Sequence, residues 1–196
     1  QVCVHPGKAP DKPEDVDITF AQGIPVAWNG KAMSIREVVE HANAAGARNG
    51  VGIEHLIEDR LIGLKVRGIY ESPGARILTK AHFNLEKLVS TRDLNEMKSL
   101  IDQKWAYLCY GAKWFEPTMD AIHAFQDAAN AYVTGTATVR LFKGNADVVA
   151  VASPYSLFNA DLATFNRNAR FNQNASAGFI ELYTLAQKTA YSVHHG

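Results

Sequence analysis

Cysteine is scarce in this chain of 196 residues, with only Cys3 and Cys109 present. Two cysteines cannot build the disulfide framework of a small secreted domain. Cys109 lies inside the apolar run AYLCY, where a reduced core thiol is expected. Both points favour a reducing, cytoplasmic compartment. Net charge is also missing, because 20 Lys and Arg balance 20 Asp and Glu. No bulk field therefore draws the chain toward nucleic acid or anionic lipid. No apolar run is long enough to span a membrane. Neither common phosphate-binding loop, G-x-x-x-x-G-K-[ST] or G-x-G-x-x-G, occurs in these residues, and there is no G-x-S-x-G nucleophile elbow. Of the histidines at 5, 41, 55, 82, 123, 194 and 195, only the terminal pair His194–His195 has a spacing that would suit a metal. A frayed chain end is the expected reading there. His41 and His55 are expected to decorate helices.

What is present suits one globular domain, since 47% of the residues are apolar and can supply a core. The chain begins at Gln1, and residues 1–15, rich in Pro, Lys and Asp, read as a linker after a preceding segment. VDITF (16–20) alternates as a half-buried strand does. IPVAW (24–28) is a second strand; Pro25 removes a ladder donor, which puts this strand at an edge or the Pro at its start. Asn29-Gly30 signals a turn. Ser34 and Glu37 form the S-x-x-E pattern of a capping box, opening a helix whose buried face is Ile35, Val38, Val39 and Ala42. GARNG (46–50) ends it. A short helix is expected over 53–60 and a strand over 61–67. Pro73-Gly74 breaks the chain, and helices follow over 77–89, 92–110 and 117–131. The second should bury Leu94, Met97, Ile101, Trp105 and Leu108. Residues 136–153 read as two strands joined at Lys143-Gly144-Asn145. A polar run, 166–176, precedes a closing helix over 176–191. That helix is apolar around a wide arc, through Phe179, Ile180, Leu182, Tyr183, Leu185 and Tyr191. Such a helix must be buried, on its own domain or on a second subunit. The order of elements is α+β, with a mixed or antiparallel sheet and several helices.

IEDRLIGLKVRGIYESPG (57–74) poses a chemical question. Glu58, Asp59, Arg60, Lys65, Arg67 and Glu71 are threaded through an apolar run. Either one side of this segment faces water, or the charges serve a ligand. Gly68 permits a close approach that a side chain would block. A tyrosine and a carboxylate beside it suit a zwitterionic ligand, carboxylate to ammonium and phenol to carboxylate or amide.

At these residues the chain resembles a known family. GARNGVG (46–52), IEDRLIGLKVRGIYESPG (57–74), KWFEP (113–117), VTGTATVRLFKGN (133–145), SPYSL (153–157) and AGFIEL (177–182) resemble, in this order, the C-terminal part of argininosuccinate synthases. The resemblance covers nearly the whole chain. It implies a ligase that joins citrulline and aspartate with ATP and releases AMP and pyrophosphate. The citrulline ureido oxygen is adenylated, and the aspartate amine then displaces AMP. It implies a catalytic and multimerisation domain over 16–175, with 176–196 docking on a neighbouring subunit of a homotetramer. ATP, with Mg, belongs to an upstream nucleotide domain with a Ser-Gly-Gly loop, so none is expected on these residues, and the fragment alone should be inactive. Nucleic acid and membrane are not expected partners. The alternative is a non-catalytic oligomerisation module.

Two citrulline contacts carry over. The glutamate of the family's E-N-R matches Glu58, and the tyrosine of its R-G-x-Y-E matches Tyr70. Twelve extended residues span up to roughly 40 Å, far more than citrulline. The chain must fold back between them, with Gly63 and Gly68 as the candidate places. Asn49, Asp59 and Val66 depart from the family's usual His, Asn and Ser.

Overall fold

Alternation of apolar and polar residues in the first strand decides the architecture. In a computed structural model, which describes residues 2–163 and 171–196, β1 (Glu14–Ala21) buries Val16, Ile18 and Phe20 and turns Asp15, Asp17 and Thr19 outward. β2 (Ile24–Trp28) and the two-residue β3 (Lys31–Ala32) follow. Ser34 then caps α1 (Ile35–Arg48): its side chain accepts from the Glu37 N–H, while the Glu37 carboxylate accepts from the Ser34 N–H at 2.8 Å, completing the capping box. β4 (Ile53–Asp59) and β5 (Lys65–Glu71) form a hairpin. The helices α2 (Pro73–Val89), α3 (Arg92–Tyr110) and α4 (Pro117–Asn130) come next. β6 (Gly135–Phe142) and β7 (Asn145–Ala152) close the first unit, which runs to Leu157. The second unit, from Phe158, holds α5 (Ala175–Tyr183) and α6 (Leu185–His195).

The larger sheet is antiparallel, in the order β3-β2-β1-β6-β7. Val16 pairs with Val139 and Ile18 with Ala137, so both central strands aim the same face inward. That face packs on α1, through Val38, Ala42 and Ala45, and on α2, through Ile77, Ala81 and Leu85. The outer face is knitted by polar cross-strand pairs. Arg140 grips Asp15 with two hydrogen bonds, at 2.8 and 2.7 Å, and Thr138 donates to Asp17 at 2.6 Å. Pro25 stands at the start of β2, which lies between β1 and β3. β3 reaches only Ala27 and Trp28, and β2 is bulged at Val26 beside Pro25, so the missing N–H interrupts no ladder.

α3 and α4 form a helical hairpin with its own small core of Leu108, Met119 and Ile122. Of the face expected for α3, only Leu108 is fully buried, packed on Met119 and Ile122 of α4; Met97 stays exposed. Cys109 is half-buried at this small core, whereas Cys3 is the buried thiol and donates to the Val51 carbonyl at 3.3 Å. On α1, Ile35 and Val39 lie outside the core and line an open groove with Phe20, Leu78 and Phe83. The N-terminal segment is held on the domain, with the Val4 N–H on the Ala47 carbonyl at 2.9 Å and Lys143 on Asp11 at 2.6 Å.

Two further expectations change. Residues 53–59 are a strand, not a short helix: Ile53, His55 and Ile57 alternate with Glu54, Leu56 and Glu58, and pairing with β5 overrides the helical preference of Glu and Leu. Residues 61–64 belong to the connecting turn, so the second strand starts at Lys65. Pro73 does not interrupt the chain but starts α2, at the helical position where its missing N–H is harmless. In the second unit, the expected closing helix is divided at Thr184, and its apolar side chains are exposed. The polar run 166–176 lies outside the described residues as far as Arg170.

Candidate functional site

The β4–β5 hairpin folds the charged stretch back on itself. The Arg60 N–H bonds to the Leu64 carbonyl at 2.8 Å, and the Gly63 N–H to the Arg60 carbonyl at 2.7 Å. Gly63 adopts φ +83°, a left-handed conformation that favours glycine. Gly68 does not turn the chain; it sits in mid-strand opposite Leu56. Side chains alternate across the ribbon, so Glu54, Leu56, Glu58, Val66, Gly68 and Tyr70 share one face.

On that face Tyr70 pairs with Glu54 in the ladder, yet its ring runs along β5 to reach Glu58. The Tyr70 hydroxyl donates to Glu58 Oε1 at 2.9 Å. Arg60 adds its guanidinium, Nη2 lying 3.6 Å from the same oxygen. It is also engaged by the Tyr110 hydroxyl at the end of α3. That hydroxyl, with Glu58, holds Arg60 more firmly protonated than usual. The hydrogen bond to Glu58 pushes the Tyr70 phenol above its ordinary range, with burial and the carboxylate charge acting the same way. The phenolic hydrogen is therefore committed to Glu58. Tyr70 presents lone pairs outward, and Glu58 Oε2 takes no hydrogen bond among the described residues. Two acceptors side by side suit a ligand's N–H groups or ammonium.

The opposite face carries a separate set. Arg67 Nε donates to His55 Nε2 at 2.7 Å, and Lys65 pairs with Asp59 at 2.7 Å. His55 thus decorates a strand rather than a helix, while His41 bonds the Glu37 carbonyl from α1 at 2.8 Å. His195, in the last turn of α6, stacks on Tyr191. Among the described residues no group of His, Cys, Asp or Glu could hold a metal ion.

Sequence reading did not find Arg60 and Tyr110 as neighbours of the pair. Nothing local to AYLCY links it to a hairpin some fifty residues earlier; only the tertiary fold does. It also did not find a charged cluster beneath α2. There Glu86 is buried and lies 3.0 Å from Lys98 of α3, which also meets Asp102 at 2.6 Å. His82 stands 3.5 Å from Glu86. Burial pushes the Glu86 carboxyl up, but His82 and Lys98 outweigh it and hold the group below the usual carboxylate range.

With this geometry in place, comparison with known proteins is decisive. A family model for the arginosuccinate synthase C-terminal domain matches residues 1–190. The chain belongs to that family. It is 45% identical over 187 residues to an argininosuccinate synthase of Thermoanaerobacter sp. (strain X514), covering 95% of this chain and 46% of the relative. It is 44% identical over 190 residues to that of Pyrococcus furiosus, covering 96% and 46%. It is 44% identical over 191 residues to that of Symbiobacterium thermophilum, covering 97% and 47%. The chain thus spans about half the length of the argininosuccinate synthases it matches. The matches run across the whole α+β unit as well as the hairpin.

Proposed function

We propose that this chain is the citrulline-contacting and assembly half of an argininosuccinate synthase, an ATP-dependent ligase of arginine biosynthesis that works in the cytoplasm. The reading rests on the Glu58–Tyr70 contact, because it joins two residues twelve positions apart into one polar surface. Both are proposed citrulline contacts. The acceptor pair would take the α-ammonium, the only full cation on that substrate. Arg60, held between Glu58 and Tyr110, orients the carboxylate. Neither Glu58 nor Tyr70 is assigned as a general acid or base. In this account they position citrulline while its ureido oxygen is adenylated and while the aspartate amine displaces AMP, and positioning is a large share of such catalysis.

Neither common phosphate-binding loop occurs in these residues, and among the described residues no group of His, Cys, Asp or Glu could hold a metal ion. Helix N-termini are the natural phosphate cradles; here α1 carries Glu37 in its first turn, α3 carries Asp93 and α4 is capped by Glu116, while α2 carries no acid there. These carboxylates repel a triphosphate. We therefore assign ATP, and the full aspartate site, to a nucleotide-binding region outside these residues, and expect this chain alone to be inactive. Glu58→Ala in the complete enzyme is expected to raise the citrulline KM at least tenfold, since losing a charge-assisted contact is worth ~1.5–3 kcal/mol. An unchanged KM would refute the assignment.

An assembly role has its own support. In the second unit Phe179, Ile180, Leu182, Tyr183, Leu185, Tyr191 and Val193 are all exposed, so α5 and α6 hold apolar surface in need of cover. We assign that surface to a neighbouring copy in a homotetramer. Light scattering of the chain beside a version ended after Gln173 is expected to show an assembly that dissociates on truncation. Equal masses would remove this part of the reading.

A further inference from the structure

Tyr70 reaches Glu58 only because its ring lies across the backbone of the residue two positions earlier. A methyl group built on Gly68 would stand 2.6 Å from Tyr70 Cε2, 2.8 Å from Cζ and 2.9 Å from Oη. No side-chain carbon fits at such distances, so any other residue at this position displaces the ring. The ring carries the hydroxyl that bonds Glu58. The β5 backbone does not itself require glycine, since the φ of Gly68 is not positive and its neighbours pair in an ordinary antiparallel register. The three nearest atoms all belong to Tyr70.

We infer that Gly68 is a positioning residue: its bare Cα is the platform on which the Tyr70 ring rests, and this platform sets the Glu58–Tyr70 acceptor pair. As a claim about citrulline, this rests on the function proposed above; as a claim about Tyr70, it stands on the geometry alone. The consequence is a separation of stability from function. Glycine inside a strand is a poor former of extended backbone, and alanine is better. Gly68→Ala should therefore keep or raise the melting temperature while it breaks the pair. A glycine retained only for the fold would behave in the opposite way.

The test uses two readouts on Gly68→Ala. The first is the Tyr70 phenol in this chain, followed by pH titration of tyrosine NMR signals, with Tyr70→Phe identifying the resonance. In the native chain the phenol titrates above its ordinary range because Glu58 accepts its hydrogen. In Gly68→Ala it is expected to return toward the ordinary value with no fall in melting temperature. An unmoved Tyr70 titration would overturn the inference, and so would a variant that unfolds at a lower temperature with its Tyr70 signal unchanged. The second readout is steady-state kinetics of the complete enzyme. The citrulline KM is expected to rise about fivefold, with the aspartate KM unchanged. If Tyr70 is released and the citrulline KM stays at the native value, the platform role stands and the citrulline assignment falls. Gly68→Ser, with a slightly larger side chain, should repeat both effects at equal or greater size.

Discussion

The two antiparallel sheets of this protein use alternation for different ends. In the five-stranded sheet it separates inside from outside: Val16, Ile18 and Phe20 are buried, and Asp15 and Asp17 bond across the outer face. In the β4–β5 hairpin neither face is sealed, and Ile57 and Ile69 are 69% and 71% exposed. There alternation sorts side chains by chemistry, with Glu58, Gly68 and Tyr70 on one face and His55, Arg67 and Ile69 on the other. A core sheet fixes its residues by packing, and each contributes to stability. A two-stranded ribbon fixes few, and those it does fix, such as Tyr70, are held by single directional contacts. Mutations in the two regions should therefore move different quantities.

The largest expected effect lies in the core. Leu85→Ala empties a fully buried site on α2 and should lower unfolding stability by about 2–5 kcal/mol in urea titration. Ile69→Ser on the hairpin should stay within about 0.5 kcal/mol in the same assay. A loss at Ile69 as large as at Leu85 would break the contrast.

Next comes the charged cluster that ties the α3–α4 pair to α2. Lys98→Met leaves Glu86 buried beside fewer opposite charges, and should remove about 3 kcal/mol at neutral pH. The pH dependence has a definite sign. The folded Glu86 carboxyl is held below its unfolded value, so its contribution is present above roughly pH 4.3 and is lost as pH falls through the folded value. In Lys98→Met, burial lifts the carboxyl back up, and the gap between variant and native stability should narrow on acidification. A gap that widens in acid would contradict the assignment.

A smaller effect is expected at the site. Tyr70→Phe removes one hydrogen bond, worth about 0.5–1.5 kcal/mol. The citrulline KM should rise two- to tenfold, with a fall in melting temperature of no more than about 6 °C. A fall in stability with unchanged KM would make Tyr70 a structural residue.

The sequence disclosed these regions unequally. β1, α1 and the β6–β7 hairpin were legible because alternation, the Ser34–Glu37 capping box and Lys143-Gly144-Asn145 are local signals that burial reinforces. The end of α3 at Tyr110 was legible too, from helical spacing. The 53–67 segment was read with the wrong boundaries, because Glu54, Leu56 and Glu58 favour a helix locally, and only pairing with β5 makes them a strand. Glu58 and Tyr70 were identified through family resemblance, and Gly68 as a site of close approach. That the close approach is made by the Tyr70 ring could not be read from the sequence, since it depends on a rotamer. Arg60, Tyr110 and the Glu86–Lys98 contact are meetings of residues distant in the chain and left no local mark.

The central claim is that Glu58 and Tyr70 act on citrulline as one unit. A double-mutant cycle on the citrulline KM, with Glu58→Ala, Tyr70→Phe and the pair in the complete enzyme, tests it most directly. The account predicts a coupling of at least about 0.5 kcal/mol, with the double variant little worse than Glu58→Ala alone. Strictly additive effects, or a KM that none of the three variants changes, would contradict it.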